Sequence, residues 1–266
     1  MKHLFQYWEL FSADVRASSH ILLLSDYDGT LTPIVSRPEQ AILTPGVRDK
    51  LRALASRPAV SVGIISGRSL AEVKSLVAVD GIYYAGNHGF EIEGPGITFI
   101  HPVARTAQSQ IRDILRQLTA RLADIEGVLV EDKGLSLSVH YRLVREKEEE
   151  TVAQIFRKVT APWSDKGEIR ITTGKKVWEV RPRIDWHKGK AVEAISREIK
   201  QSLKLEQLLI IYLGDDTTDE DAFRIIHHPD GWSIFVGGEN PSSNAEYFLN
   251  STVEVTTFLS RLIDLK

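Results

Sequence analysis

The period of the hydrophobic positions changes twice along the chain. Ile21-Leu22-Leu23-Leu24 is a continuous apolar run, closed by Ser25 and then Asp26-Tyr27-Asp28-Gly29-Thr30. A short run without alternation suits a strand buried on both faces, as in a parallel sheet. Thr44-Pro45 offers an N-cap followed by proline at the first helical position, and Val47, Leu51 and Leu54 recur at helical spacing. Residues 60–65 form a second apolar run, ending on Ser66-Gly67-Arg68; residues 70–79 read as a helix and 82–85 as a third strand. Strand, helix, strand, helix, strand predicts a doubly wound α/β unit.

After Gly86 the pattern is different. Residues 90–93 and 97–101, joined by Gly94-Pro95-Gly96, read as a hairpin. Residues 104–125 predict one long helix with Ile111, Leu115, Leu118 and Leu122 on a stripe. Strands follow at 128–131 and, with clean alternation, at 135–141; then a helix at 146–159 and strands at 168–173 and 176–180. That order is α+β. From Trp186 the first pattern returns, with a helix at 188–200 and an apolar strand at 208–213 closing on Gly214-Asp215-Asp216. A helix at 219–226, a strand at 232–236 and a helix at 254–265 complete it. The expected organisation is a doubly wound parallel-sheet core, residues 1–103 and 182–266, interrupted by an inserted α+β module, residues 104–181. Residues 1–20 read as an amphipathic lead-in helix.

Composition narrows the function classes. The chain has 266 residues, 33 Lys+Arg against 36 Asp+Glu and a formal net charge of −3. No basic excess points to nucleic acid, so none is expected as a partner. There is no cysteine, which excludes disulfides, thiolate catalysis and zinc–thiolate sites. No segment approaches the roughly 18–20 apolar residues that span a bilayer, and residues 1–20 lack the uninterrupted apolar stretch of a signal peptide. A cytoplasmic protein with no membrane partner is the expectation.

The chemistry gathers at strand ends. In open α/β sheets ligands bind at the carboxyl ends of the strands, and here those ends carry Asp26 and Asp28, then Ser66, then Asp215 and Asp216, with Asp219 nearby. Several carboxylates need a compensating cation. A hard oxygen set without a Cys or His cluster points to Mg²⁺, which pairs a few carboxylates with substrate phosphate. Lys188, Ser66 and Thr30 are available to complete a phosphate site. Neither G-x-x-x-x-G-K-[ST] nor G-x-G-x-x-G occurs, so nucleotide cradles find no support.

Asp26-Tyr-Asp-Gly-Thr30, Ser66-Gly-Arg68, Lys188 and Gly214-Asp-Asp-Thr-Thr-Asp-Glu220 resemble the four motifs of the haloacid-dehalogenase superfamily of phosphatases. Gly86-Asn-His-Gly89, Glu131-x-Lys133, His140-Tyr-Arg142, Trp178-Glu-Val-Arg181 and Gly214 to Phe223 are similar, more narrowly, to the trehalose-6-phosphate phosphatases. The resemblance implies Asp26 as nucleophile, Asp28 as general acid and then base, and Lys188 as a catalytic cation. It implies phosphate binding by Thr30, Ser66, Gly67, Arg68 and Lys188. It places Mg²⁺ on Asp26, the Asp28 carbonyl and Asp215, with Asp216 and Asp219 in support. Glu131, Lys133, His140, Arg142 and Glu179 resemble the sugar-binding set, with Asn87 and His88 as further substrate residues. A small disaccharide phosphate is the implied substrate. A phosphatase for another glycosyl phosphate, or a sugar-phosphate-binding regulator without turnover, remain the alternatives.

The alternation over 135–141 adds a face argument. Leu135, Leu137, Val139 and Tyr141 fall on one side and Ser136, Ser138, His140 and Arg142 on the other. Helices must cover the apolar side, which leaves the polar side for the sugar. Trp163, Trp178, Trp186 and Trp232 are expected to pack rather than to stack on sugar, and His227-His228 to cap a helix end.

Overall fold

The computed structural model describes residues 1–35 and 37–266. The chain begins with β1 (Lys2–His3), α1 (Trp8–Ala17), β2 (Ile21–Ser25), α2 (Pro45–Ala55), β3 (Val60–Ile65), α3 (Leu70–Val77), β4 (Tyr83–Gly86), β5 (Glu91–Gly94) and β6 (Ile97–Ile100). It continues through α4 (Pro102–Thr106), α5 (Gln108–Leu122), β7 (Leu129–Asp132), β8 (Leu137–His140), α6 (Glu146–Ser164), β9 (Ile169–Gly174) and β10 (Val177–Pro182). Then come α7 (Lys188–Ser202), β11 (Leu209–Gly214), α8 (Glu220–Phe223), β12 (Gly231–Val236), β13 (Tyr247–Leu249) and α9 (Thr252–Ile263). Two compact units result: residues 1–99 with 186–266, and residues 100–185. No helix among the described residues is long and apolar enough to cross a membrane.

The first unit is built on a nine-stranded sheet ordered β1-β13-β12-β11-β2-β3-β4-β5-β6. Neighbours from β1 to β4 run parallel, and β5 turns back antiparallel to β4. The apolar run of β2 explains its place near the centre. Ile21 and Leu23 enter one cluster with Phe11, Leu51, Val73 and Phe258 from the helices on that face. Leu22 and Leu24 enter the opposite cluster with Val192, Ile195 and Phe223 from α7 and α8. All four are at most 1% exposed, so truncating any of them to Ala costs about 2–5 kcal/mol. Because β2, β3, β4 and β11 are parallel, the chain leaves them along one edge, delivering Asp26, Ser66, Asn87 and Asp215 there.

Residues 1–20 are not one helix. Lys2 and His3 pair with Tyr247 and Phe248 as a short edge strand, and only Trp8–Ala17 is α-helical. A two-residue strand has no period of its own; its partner β13 lies more than 200 residues away, beyond any local pattern.

The second unit has a four-stranded antiparallel sheet ordered β7-β8-β10-β9. Ile111, Ile114 and Leu118 of α5 and Val152, Phe156 and Val159 of α6 cover Leu137, Val139 and Val180 on one face. The register places Glu131, Ser138, Glu179 and Thr172 side by side on the other. Three expectations shift here. The helix at 104–125 is two helices divided at Ala107, a break too short for periodicity to register. Strand 135–141 contracts to Leu137–His140, because Lys133 N–H donates to the Ser136 carbonyl and closes a turn over 133–136. Helix 146–159 runs on to Ser164 through Pro162 in its last turn.

Candidate active site

Asp26 follows β2 directly and is 5% exposed. Its Oδ1 accepts from Lys188 Nζ at 2.8 Å, and the same ammonium donates to Asp219 Oδ1 at 2.7 Å. Lys188 opens α7 and is 2% exposed; Asp219 follows β11 and is fully buried. Asp219 accepts four hydrogen bonds in all: from Lys188, from the Tyr212 hydroxyl at 2.7 Å, and from the backbone N–H of Asp215 and Asp216, each at 3.1 Å. It fixes the loop after β11 and the direction of Lys188 together. Burial and the Asp219 and Asp215 charges raise Asp26 well above the carboxylate range, against the pull of Lys188. Burial works to lower Lys188, but Asp219 and Asp26 outweigh it and hold the ammonium charged.

Asp215 shares this space. A Cβ on Gly29 would lie 2.0 Å from Asp215 Oδ2, and Gly29 has φ +83°, so only glycine admits the carboxylate there. Thr30 Oγ1 donates to Asp215 Oδ1 at 3.4 Å. Burial, then Asp219 and Asp216, raise Asp215 to about 7. Carboxyls this close need a proton or a cation between them.

That requirement is the test of a metal. Asp26, Asp215 and Asp219 each offer an oxygen within 4.8 Å of the others, and an all-oxygen set suits a hard divalent cation. The arrangement fits such an ion. The side chains of Asp28 and Asp216 lie outside this group. The Asp28 carboxylate is paired with Arg68, Nε to Oδ2 at 2.7 Å and Nη2 to Oδ1 at 2.8 Å. Asp216 is exposed, and its Oδ1 accepts from the N–H and hydroxyl of Thr218, both at 2.7 Å. Partial desolvation pushes Asp216 up, but Lys188 and the two Thr218 bonds prevail and hold it below the usual range.

The Ser66-Gly67-Arg68 turn was expected to bind phosphate throughout. Ser66 is 1% exposed and accepts from Arg68 N–H at 3.2 Å. The Arg68 guanidinium faces elsewhere: besides Asp28 it donates to Glu72 and, at 2.9 Å, to the Pro38 carbonyl. Burial disfavours its charge, yet the bond and charge of Asp28 raise it further. Its fork is filled by the bidentate Asp28 carboxylate, which it braces.

Asn87 and His88 follow β4. The Asn87 side chain is fully buried and donates to Glu91 at 2.8 Å. The His88 ring lies over Gly67, where a Cβ would stand 2.8 Å from its Cε1.

The inserted unit holds the expected sugar residues as pairs on its polar face. His140 Nε2 and Glu131 are 2.8 Å apart, and Lys133 Nζ is 3.6 Å from Glu179. Arg142 follows the end of β8 at His140, and it donates to the Lys175 carbonyl at 3.1 Å. Trp178 is sandwiched between Tyr141 and Phe156 at 4.1 and 4.6 Å, and Trp232 meets Phe11 in the core. His227 reaches the Arg224 carbonyl at 2.9 Å, just past α8, while His228 pairs with Asp14 at 3.2 Å.

Sequence reasoning missed Tyr212, the one phenol in an aliphatic strand, and Glu72, four residues after Arg68 on α3. Both signals were present: a polar tip among aliphatics needs a buried partner, and i,i+4 spacing brings opposite charges together.

A search among known proteins matches the Trehalose-phosphatase family model over residues 24–252. "Trehalose-phosphate phosphatase B" of Arabidopsis thaliana is 35% identical over 256 residues, covering 92% of this chain and 67% of that protein. The Candida albicans trehalose-6-phosphate phosphatase C-terminal domain superposes with a TM-score of 0.78 at 27% identity, covering 97% of each chain. A haloacid dehalogenase-like hydrolase from Bacteroides thetaiotaomicron shares the fold at TM-score 0.61 and 13% identity, covering 91% of this chain and 99% of that one. The fold is therefore the one shared with that haloacid dehalogenase-like hydrolase: a doubly wound parallel-sheet core with an inserted α+β unit. Within it, the chain belongs to the trehalose-phosphatase family.

Proposed function

We propose that this protein hydrolyses trehalose 6-phosphate to trehalose and inorganic phosphate, with Asp26 as the nucleophile. Family membership supports the substrate. The observation that carries the chemistry is a buried Asp26 carboxylate held by Lys188, itself fixed by Asp219, at the edge where the parallel strands end.

Asp26 forms a bond to phosphorus while the bond from phosphorus to the sugar oxygen breaks. Asp28 gives a proton to the sugar oxygen as it leaves phosphorus, then takes one from the water whose attack on phosphorus breaks the bond to Asp26. Arg68 orients Asp28 for both steps; one Asp28 oxygen must turn from the guanidinium, or be shared with it, when the proton moves. Lys188 and the Ser66 hydroxyl neutralise and position the phosphoryl oxygens, where charge stabilisation carries most of the rate. Mg²⁺ would be held by Asp26, Asp215 and the Asp28 carbonyl, with Asp219 orienting the loop, and would supply counter-charge to carboxylates and phosphate. Glu131, Lys133, His140 and Glu179 would exchange their mutual pairs for sugar hydroxyls.

Release of inorganic phosphate from a panel of disaccharide and glycosyl phosphates, with and without EDTA, tests this. Trehalose 6-phosphate should give the highest kcat/KM, and EDTA should abolish turnover. A stronger preference for another glycosyl phosphate overturns the substrate; no release from any overturns the enzyme.

A further inference from the structure

The chain passes from the first unit to the second after Phe99 and returns at Trp186. These two residues stack on each other, with ring centroids 5.1 Å apart and planes 26° from parallel. The indole does more than pack: its Nε1–H donates to the Gly89 carbonyl at 2.8 Å. Gly89 ends a turn in which Asn87, His88 and Gly89 all have positive φ, at 50°, 56° and 95°. Two consecutive non-glycine residues in that region are costly unless the surroundings over-determine them.

Two backbone hydrogen bonds tie that turn to the Ser66–Arg68 loop. Asn87 N–H donates to the Arg68 carbonyl at 2.7 Å, and His88 N–H donates to the Ser66 carbonyl at 2.9 Å. The turn therefore clamps both ends of the Ser66-Gly67-Arg68 loop, and the His88 ring covers Gly67 between them. A Cβ on Gly89 would stand 2.6 Å from Ala191 Cβ and 3.2 Å from the indole nitrogen, so α7 and Trp186 seat the turn from its far side. Trp186 is two residues before Lys188. One side chain thus joins the return point of the chain, the strained turn and, through the turn, the loop that carries Ser66 and Arg68.

We infer that Trp186 is a positioning residue: its indole N–H, oriented by the Phe99 ring, holds the Asn87–Gly89 turn and through it the Ser66–Arg68 loop. Its indole hydrogen bond goes to the Gly89 carbonyl and its ring contact to Phe99. Its effect falls on phosphoryl affinity, because the loop it holds presents Ser66 and aims Arg68 at Asp28. The kinetic part rests on the phosphatase reading; the structural part does not.

Trp186→Phe keeps a ring on Phe99 and removes only the donor. Hydrogen exchange followed by mass spectrometry should show the amides of Asn87 and His88 exchanging about tenfold faster, as expected for one lost hydrogen bond, with α7 and β2 unchanged. With an aryl phosphate, KM and the inhibition constant of inorganic phosphate should rise together about five- to tenfold, with kcat falling less. Trp186→Leu, which also removes the stack, should shift both further in the same direction. Unchanged exchange at 87–88 in both variants overturns the inference, as does faster exchange spread evenly over the core. Faster local exchange with unchanged phosphate inhibition overturns the link from turn to loop. A wild-type protein without phosphatase activity would instead fail the functional reading, leaving the exchange result to stand or fall by itself.

Discussion

The two units hold their charged groups in opposite ways. In the first, Asp26, Lys188 and Asp219 are buried, and Asp219 alone accepts four hydrogen bonds. The positions follow from strand ends and backbone N–H groups, which cannot rearrange without unfolding the sheet edge. In the second, Glu131, His140, Lys133 and Glu179 pair along one sheet face, each with a neighbour that could be exchanged for a hydroxyl. A rigid network suits charge development at phosphorus, which must meet preorganised partners. An exchangeable one suits recognition of a polyhydroxyl ligand, whose hydrogen bonds replace others of similar strength.

The largest effect should come from the rigid network. Asp26→Asn should lower kcat by about 10⁴-fold or more for every substrate, as losses of a nucleophile do, with the fold intact by circular dichroism. Activity within tenfold of wild type would remove Asp26 from the nucleophile's role. Asp28→Asn comes next. It should cost about 10²–10⁴-fold with trehalose 6-phosphate and much less with para-nitrophenyl phosphate, whose leaving group needs little protonation. Equal losses with both would separate Asp28 from proton transfer.

The exchangeable pairs should show the opposite selectivity. Lys133→Ala or Glu131→Ala should reduce kcat/KM for trehalose 6-phosphate by about 10–100-fold, the equivalent of one or two charge-assisted hydrogen bonds, and leave the aryl phosphate within about twofold. A parallel loss with both substrates would erase the contrast between the units.

The smallest effect is on stability. Asp215 is raised from 3.8 to about 7, so its bound proton favours the folded metal-free protein most at low pH. That contribution is fully present below 3.8 and is lost as pH rises through about 7. Added Mg²⁺ should therefore raise Tm more at pH 8 than at pH 5, by about 5 °C at 100 times Kd. Equal shifts at both pH values would detach the ion from these carboxylates.

How far the sequence revealed this molecule depended on the range of the interactions. The doubly wound order was legible because β2, β3 and β11 are buried on both faces and read as unbroken apolar runs. The carboxylates were legible because they directly follow those runs. What the side chains do with one another was not. Arg68 belongs to a phosphatase-like turn, yet its guanidinium holds Asp28 and Glu72, a pairing fixed by the meeting of two loops and a helix. Arg142 continues an alternation in the sequence, while the strand itself ends at His140. Edge strand β1 escaped altogether, since nothing within reach of its two residues marks it.

The seam between β2 and β11 also sets a timetable. Ile21 pairs with Val60 on one side and with Leu209 on the other. At about 5–20 residues per second, a ribosome needs roughly ten to forty seconds to travel from the first of these to the last. Throughout that interval the nascent β2 has at least one open edge, the kind that recruits foreign strands. The inserted unit, whose strands pair only with one another, is finished well before β11 emerges. The sheet thus stays half built until late, and synthesis of β11 is the step during which aggregation competes with folding.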